Sequence, residues 1–136
     1  MSCDYIYQVS WIKACKKTKY YSGHATYETT FKCDKVDKAF LDLGEVKDIA
    51  TVEVNGINCG TSWMAPYRVD ISKAVKKGKN TLKITVVNTW ANALLGADNG
   101  MPPYEGIWTN GKYRRAEKNV LPAGLLGPIT LEYNKK

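Results

Sequence analysis

Apolar residues recur at every second position along much of the chain. In residues 23–33, GHATYETTFKC, Ala25, Tyr27, Phe31 and Cys33 fall on one face and His24, Glu28 and Lys32 on the other. A period of two over that length predicts a strand with one buried face. The same alternation runs through Ala39, Leu41 and Leu43; Ala50, Val52 and Val54; Tyr67, Val69 and Ile71; Leu82, Ile84 and Val86; and Ile129, Leu131 and Tyr133. At least six short strands are expected. Asn55-Gly56, between Val54 and Ile57, is a type I′ hairpin signal, because both central residues of that turn need positive φ; it pairs residues 49–55 with 57–63. The one helical signal is brief: Asp70 or Ser72 caps a turn through Ala74 and Val75, closed by Gly78. Short strands with inward faces of Val, Ile, Leu and Tyr predict an all-β sandwich, whose two sheets bury their alternating faces against each other.

Residues 89–124 break the pattern, with no sustained period of either kind. A stretch of that length without strands is unusual inside a compact domain and marks a functional loop. It holds Trp90, Tyr104, Trp108 and Tyr113 among Asn92, Asp98, Asn99, Glu105, Asn110, Arg114 and Arg115. Aromatic faces interleaved with amides and carboxylates match the C–H face and hydroxyl rim of a pyranose ring. The competing reading is that Trp90 and Trp108 plug the open end of the sandwich. Trp63 and Tyr67 line the same end or pack beneath it, with Tyr67 expected in the core.

Composition narrows the class. A chain of 136 residues fits one domain. It is too short for a (β/α)₈ barrel, which needs about 250 residues. Four Trp and nine Tyr against two Phe favour aromatics with a polar handle, suited to cores and wet binding surfaces alike. The net charge of +7 raises polyanions as partners. The basic residues group as Lys13, Lys16, Lys17 and Lys19; Lys73, Lys76, Lys77 and Lys79; and Lys112, Arg114, Arg115 and Lys118. Lysine dominates, whereas base reading and bidentate phosphate contacts favour arginine, so nucleic acid is the weakest partner reading. Solvated turns explain the groups unless they converge in space, where they would suit an acidic polysaccharide such as a uronate-bearing pectin.

Enzymatic chemistry finds little support. Glycoside hydrolysis needs two carboxyl groups facing one bond, about 5–5.5 Å apart for retention or about 6.5–9.5 Å for inversion. Asp98 with Glu105, or Glu45 with Asp48, are the candidate pairs, and no spacing requires either to meet. His24 and Cys33 fall on opposite faces of one strand, so they do not form a nucleophile–base pair. Cys3, Cys15, Cys33 and Cys59 contain no C-x-x-C pair, so zinc is not expected, and free thiols are compatible with a domain of this size. No phosphate loop or calcium loop motif is present. No run approaches the roughly 18 apolar residues of a membrane span, and no signal-peptide core is visible at the start.

YYSGHATYETTF at 20–31, then LDLGEVKDIATVEVNGINCG, TSWMAPYRVDIS, KKGKNTLKITVVNTW and LPAGLLGPITLEY, resemble in order the sugar-binding jelly-roll domain of glycoside hydrolases, family 2 and the family 106 α-L-rhamnosidases. The likeness covers roughly residues 11–133. It implies a galactose-binding-domain-like jelly roll over residues 20–136, preceded by an extension or linker over 1–19. It implies a non-catalytic carbohydrate-binding or accessory role beside a catalytic glycosidase domain acting on plant or microbial polysaccharides, in a periplasmic or secreted parent. The alternative is a purely structural sandwich docked on a catalytic barrel. Calcium held by backbone carbonyls occurs in this superfamily; these residues neither support nor exclude it, and no cofactor is expected. The expected ligand residues are Trp90 and Trp108 for stacking, Asn92, Asp98, Asn99 and Arg68 for hydrogen bonds, and Trp63 and Tyr104 nearby. Where rhamnosidase relatives tend to carry Asn-Arg-Leu-Ile-Gly, this chain reads Asn92-Ala93-Leu94-Leu95-Gly96, without the arginine.

Overall fold

The computed structural model describes residues 2–7, 20–34, 36–109 and 120–135. Its strands are β1 (Ser2–Tyr7), β2 (His24–Cys33), β3 (Val36–Asp42), β4 (Glu45–Lys47), β5 (Ile49–Val54), β6 (Ile57–Ser62), β7 (Arg68–Asp70), β8 (Gly78–Val87), β9 (Gly124–Gly127) and β10 (Ile129–Lys135). One helix, α1 (Ala91–Asp98), follows β8. One sheet has the order β1-β10-β3-β7 and the other β2-β8-β5-β6, with the β4-β9 ribbon at one end. All strand pairs are antiparallel.

The alternation read from sequence is the burial pattern. From one sheet Ala50, Val52, Val54, Leu82, Ile84, Val86, Phe31 and Cys33 point inward, and from the other Ala39, Leu41, Val69, Ile71, Ile129, Leu131 and Tyr133 meet them. Leu41 and Ile84 are among the side chains sealed from solvent. Leu41→Ala is expected to cost about 3 kcal/mol in urea unfolding, since the methyls it removes leave a void the paired sheets cannot close. Tyr27 and Tyr67 are half-buried at the core margin, the latter donating its hydroxyl proton to the Asp48 carbonyl at 3.2 Å.

The outward faces are equally ordered. Thr26, Thr85, Thr51 and Thr61 stand in one cross-strand row of the β2-β8-β5-β6 sheet. Thr51 and Thr61 share a 2.9 Å hydrogen bond, and Glu53 and Lys83 form an ion pair at 3.4 Å. The Asn55-Gly56 turn has positive φ at both residues, 52° and 78°, as a type I′ hairpin requires.

The helical turn after β7 is held by Asp70, whose carboxylate accepts the Ser72 N–H at 2.9 Å and the Ser72 hydroxyl. Those bonds hold the Asp70 carboxyl below the usual carboxylate range. A folded-state pKa below the unfolded one gives stability that is complete above the unfolded value and lost as pH falls through the folded one. Asp70→Ala is therefore expected to lower the melting temperature modestly at pH 7, equivalent to less than about 1 kcal/mol because the carboxylate is exposed and screened by solvent, and to have little effect once the native carboxyl is protonated.

Two expectations need correction. Residues 2–7, expected within an extension, form β1 and pair with β10. Residues 89–124, expected without regular structure, contain α1 and the first residue of β9. The helix was hidden because its buried face is Asn92, Ala93, Leu95 and Gly96, in which a polar residue and a glycine replace half of the apolar signal.

Candidate functional site

Strand register sorts the connections into two ends. Val87 lies opposite both His24 and Ile49, and Ala50 opposite Ser62. The starts of β2 and β5 and the ends of β6 and β8 therefore share one end, here the loop end, with α1, the 63–67 connection and the β4-β9 ribbon. The Asn55-Gly56 turn and the 71–77 connection form the opposite, turn end.

At the loop end the chain after β8 is fastened by three short polar side chains. Buried Asn88 accepts the Gly23 N–H at 2.8 Å and donates to the Tyr21 carbonyl at 2.8 Å. The Ser22 hydroxyl accepts the Ala93 N–H at 3.0 Å, satisfying one of the free donors of the first helical turn from a distant part of the chain. Asn92 donates to the Leu121 carbonyl at 3.0 Å and accepts the Leu121 N–H at 2.8 Å. Asn92→Ala is expected to cost about 2–3 kcal/mol, because it leaves both Leu121 backbone groups without their partner, and to be visible as early local amide exchange in residues 90–96.

Between these elements lies a cleft of about 320 Å³ lined by Glu45, Lys47, Asp48, Asn88, Thr89, Asn92, Leu121, Pro122 and Ala123. Its polar mouth includes the Glu45–Lys47 ion pair at 3.5 Å and the Asp48 carboxylate, one oxygen of which accepts the Thr89 N–H at 3.1 Å. Trp90 falls in sequence between Thr89 and Asn92, two residues that line the cleft, and is itself 69% exposed. A larger hollow, about 430 Å³, lies on the outer face of β2, β8 and β5 among Glu28, Thr30, Glu53, Thr81 and Lys83. No aromatic residue lines either hollow; the smaller cleft is the candidate for a ring-shaped ligand because the exposed Trp90 directly follows its lining residue Thr89 in the chain.

The expected ligand residues divide sharply. Trp63, Trp90 and Trp108 are 70%, 69% and 82% exposed, and Asp98 is exposed at the end of α1. Asn92 is corrected: it is buried and both ends of its amide are used on the backbone. Asn99 donates its side-chain N–H to the Leu95 carbonyl at 2.9 Å and ends the helix. Arg68 faces outward from β7, its guanidinium 3.7 Å from the Phe40 ring centroid and 2.9 Å from Glu132, on the sheet surface rather than in the cleft. Tyr104 is half-buried beneath α1, where a Cβ at Gly96 would come 3.0 Å from its ring; burial pushes its hydroxyl above the ordinary range, with Tyr21 adding to the shift. Asn110, Tyr113, Arg114 and Arg115, with Cys15 and the lysines at 13, 16, 17, 19, 112 and 118, lie outside the described residues. Cys33 is buried, and Cys59 is half-buried. Glu45, Lys47, Asp48 and Asn88 also line the cleft; no sequence pattern marks them as its residues, because they meet only through the register that brings the start of β5 beside the end of β8.

Residues 7–119 match the family described as glycosyl hydrolase 2 galactose-binding domain-like. A rhamnosidase from Novosphingobium sp. PP1Y is 44% identical with a TM-score of 0.77, over 88% of this chain and 12% of that one. A Formosa agariphila protein provisionally named a beta-glucuronidase is 36% identical over 141 residues, which is 83% of this chain and 12% of that protein. A beta-galacturonidase from Eisenbergiella tayi shares the fold, with a TM-score of 0.58 at 20% identity, over 91% of this chain and 19% of that chain. The chain thus spans about an eighth of the length of the first two relatives. The order of strands, the sandwich they build and these matches agree: the chain belongs to the glycosyl hydrolase 2 galactose-binding domain-like family.

Proposed function

We propose that this chain is a non-catalytic accessory module of a glycoside hydrolase, and that its loop end holds a sugar ring in the cleft beside Trp90. The observation that carries this reading is an exposed tryptophan, Trp90, that directly follows the cleft residue Thr89 in the chain and precedes the cleft residue Asn92 by two positions. An indole face covers the C–H side of a pyranose, while Asp48, Glu45, Lys47 and the Thr89 hydroxyl offer donors and acceptors to the ring hydroxyls. Asn88 and Asn92 hold the wall in place instead of touching the sugar. Trp108 adds a second exposed aromatic surface. Acid–base chemistry on a glycosidic bond is assigned to a separate catalytic domain of the parent protein.

Isothermal titration with neutral mono- and oligosaccharides tests the reading. Trp90→Ala is expected to weaken binding about tenfold, the loss of one stacking contact. Asn99→Ala and Arg68→Ala are expected to leave affinity unchanged. Binding that survives Trp90→Ala at full strength contradicts the site.

A second reading is favoured by a separate observation. Ile49 and Val87, directly opposite each other and 41% exposed, adjoin the end at which Trp63 and Met64 project at 70% and 62% exposure. An apolar row of this kind suits docking on another domain. In that case neutral sugars do not bind, and Trp63→Ala weakens association with the catalytic domain.

A further inference from the structure

The turn end carries a charge arrangement that neither sheet packing nor the loop-end cleft explains. Lys32 on β2 and Lys79 on β8 lie directly opposite each other on the same outer face. Like charges in that position destabilise a sheet. Lys76 and Lys77 precede Lys79 in the connection that crosses from one sheet to the other, Lys73 stands at its start, and Lys38 projects from β3 close enough to act on Asp70. All six lysines are exposed. Among the described residues the acidic groups at this end are Asp34, Asp37, Asp70 and Glu53; the Asp70 carboxylate is already engaged by Ser72 and Glu53 is paired with Lys83. The ion pairs among the described residues join Glu45 to Lys47, Arg68 to Glu132 and Glu53 to Lys83, none of them involving these six.

The described loop end has the opposite balance, with Asp42, Glu45, Asp48, Asp98 and Glu105 against Lys47 and Arg68. The described part of the molecule is therefore polarised along the sandwich. Hydrogen bonds from one side-chain amide to the backbone hold the basic end in a fixed shape: buried Asn80 accepts the Lys76 N–H and donates to the carbonyls of Lys76 and Gly78.

We propose that this lysine ridge is a second binding surface, for a carboxylated polysaccharide, spatially separate from the neutral-sugar cleft. Its partner class rests on the reading of the chain as a module of a polysaccharide-acting enzyme, whereas its position rests on charge alone. The side-chain chemistry favours carboxylates over nucleic acid. The ridge contains no arginine for bidentate phosphate contacts. Two exposed tryptophans that bases would stack on, Trp63 and Trp90, lie at the other end. Spaced lysine ammonium groups suit a polymer carrying one carboxylate per sugar, held by many weak and salt-sensitive contacts.

Affinity electrophoresis of the full chain through polygalacturonate, with neutral glucan and single-stranded oligo-dT in parallel, tests the proposal. The native chain is expected to be retarded by polygalacturonate and released at least tenfold between about 50 and about 300 mM NaCl. The quadruple variant Lys32→Gln, Lys76→Gln, Lys77→Gln, Lys79→Gln is expected to lose at least tenfold in retardation. Lys83→Gln, on the same sheet face but outside the ridge, should retain it. The double variant Lys32→Gln, Lys79→Gln removes a repulsion, so its melting temperature should hold or rise while its retardation falls. Trp90→Ala should bind polygalacturonate like the native chain, so failure of the cleft reading and failure of this one are separately visible. Equal retardation by neutral glucan, tighter binding to oligo-dT, no retardation at low salt, or an unaffected quadruple variant would each overturn the proposal.

Discussion

Gly44→Ala is expected to destabilise the chain by about 4 kcal/mol and to abolish the loop-end cleft with it. Gly44 sits at φ 65°, a conformation that costs a residue with a Cβ about 1 kcal/mol. The larger part is steric. A Cβ there would lie 2.5 Å from the carbonyl carbon and oxygen of Gly127 and 2.7 Å from the Pro128 oxygen. Those atoms are backbone, so no side chain can swing aside. The contact is also where β4 meets β9: Gly44 bridges Gly127, and Glu45, Val46 and Lys47 then pair along that strand. Forcing the two apart moves Glu45 and Lys47 away from Leu121, Pro122 and Ala123 across the cleft. Urea unfolding measures the first effect and sugar titration the second. Gly56→Ala is the control, since it shares positive φ at 78° but meets nothing within 4 Å. It should cost only about 1 kcal/mol, and equal losses at the two positions would contradict the steric account.

Asn80→Ala is expected to cost about 3–5 kcal/mol. Asn80 is sealed from solvent. Its oxygen accepts from the Lys76 N–H and from the Asn55 amide, each at 2.8 Å. Its nitrogen donates to the carbonyls of Lys76 at 2.8 Å and Gly78 at 3.0 Å. Asn55 in turn bonds the Ala74 carbonyl and the Thr81 N–H, so one amide pair ties the hairpin turn to the connection between the sheets. Truncation leaves several buried polar groups without partners, each costing about 1–3 kcal/mol. Asn80→Asp should also destabilise at neutral pH, because a carboxylate cannot donate to the two carbonyls. The same variants should loosen the lysine ridge and weaken polygalacturonate retardation. A stability loss below about 1 kcal/mol would mean that water replaces the amide.

The readable part of this molecule was its regular part. Where apolar residues alternate without interruption, as from Leu82 to Val86, inward and outward faces follow directly, and the Asn55-Gly56 turn set the pairing of β5 with β6. Helix α1 escaped because Asn92 and Gly96 occupy its buried face: one is satisfied by Leu121 across the chain, the other makes room for the rings of Tyr20 and Tyr104. The helix also lacks a local side-chain cap, since the Ser22 hydroxyl that serves it lies far away in sequence.

The same ambiguity governed the site. An amide able to bind a sugar hydroxyl is equally able to bind a backbone carbonyl, and sequence does not say which it meets. Asn92 and Asn99 meet the backbone, and Arg68 meets Phe40 and Glu132. The tryptophans were legible in a different way. Trp90 and Trp108 fall where periodicity stops, and both remain exposed. Asp48 and Asn88 joined the cleft only through the register that brings the start of β5 beside the end of β8.

Nitrogen–proton correlation spectra of the labelled full chain, recorded during titration with neutral oligosaccharides, test whether the loop end receives a sugar beside Trp90. The Trp90 indole signal and the amides of Asp48, Thr89 and Ala123 are expected to shift together and saturate along one binding curve, while the amides of Asn55, Lys76 and Asn80 at the turn end stay in place. Spectra unchanged at millimolar sugar, or shifts confined to the turn end, would contradict this site.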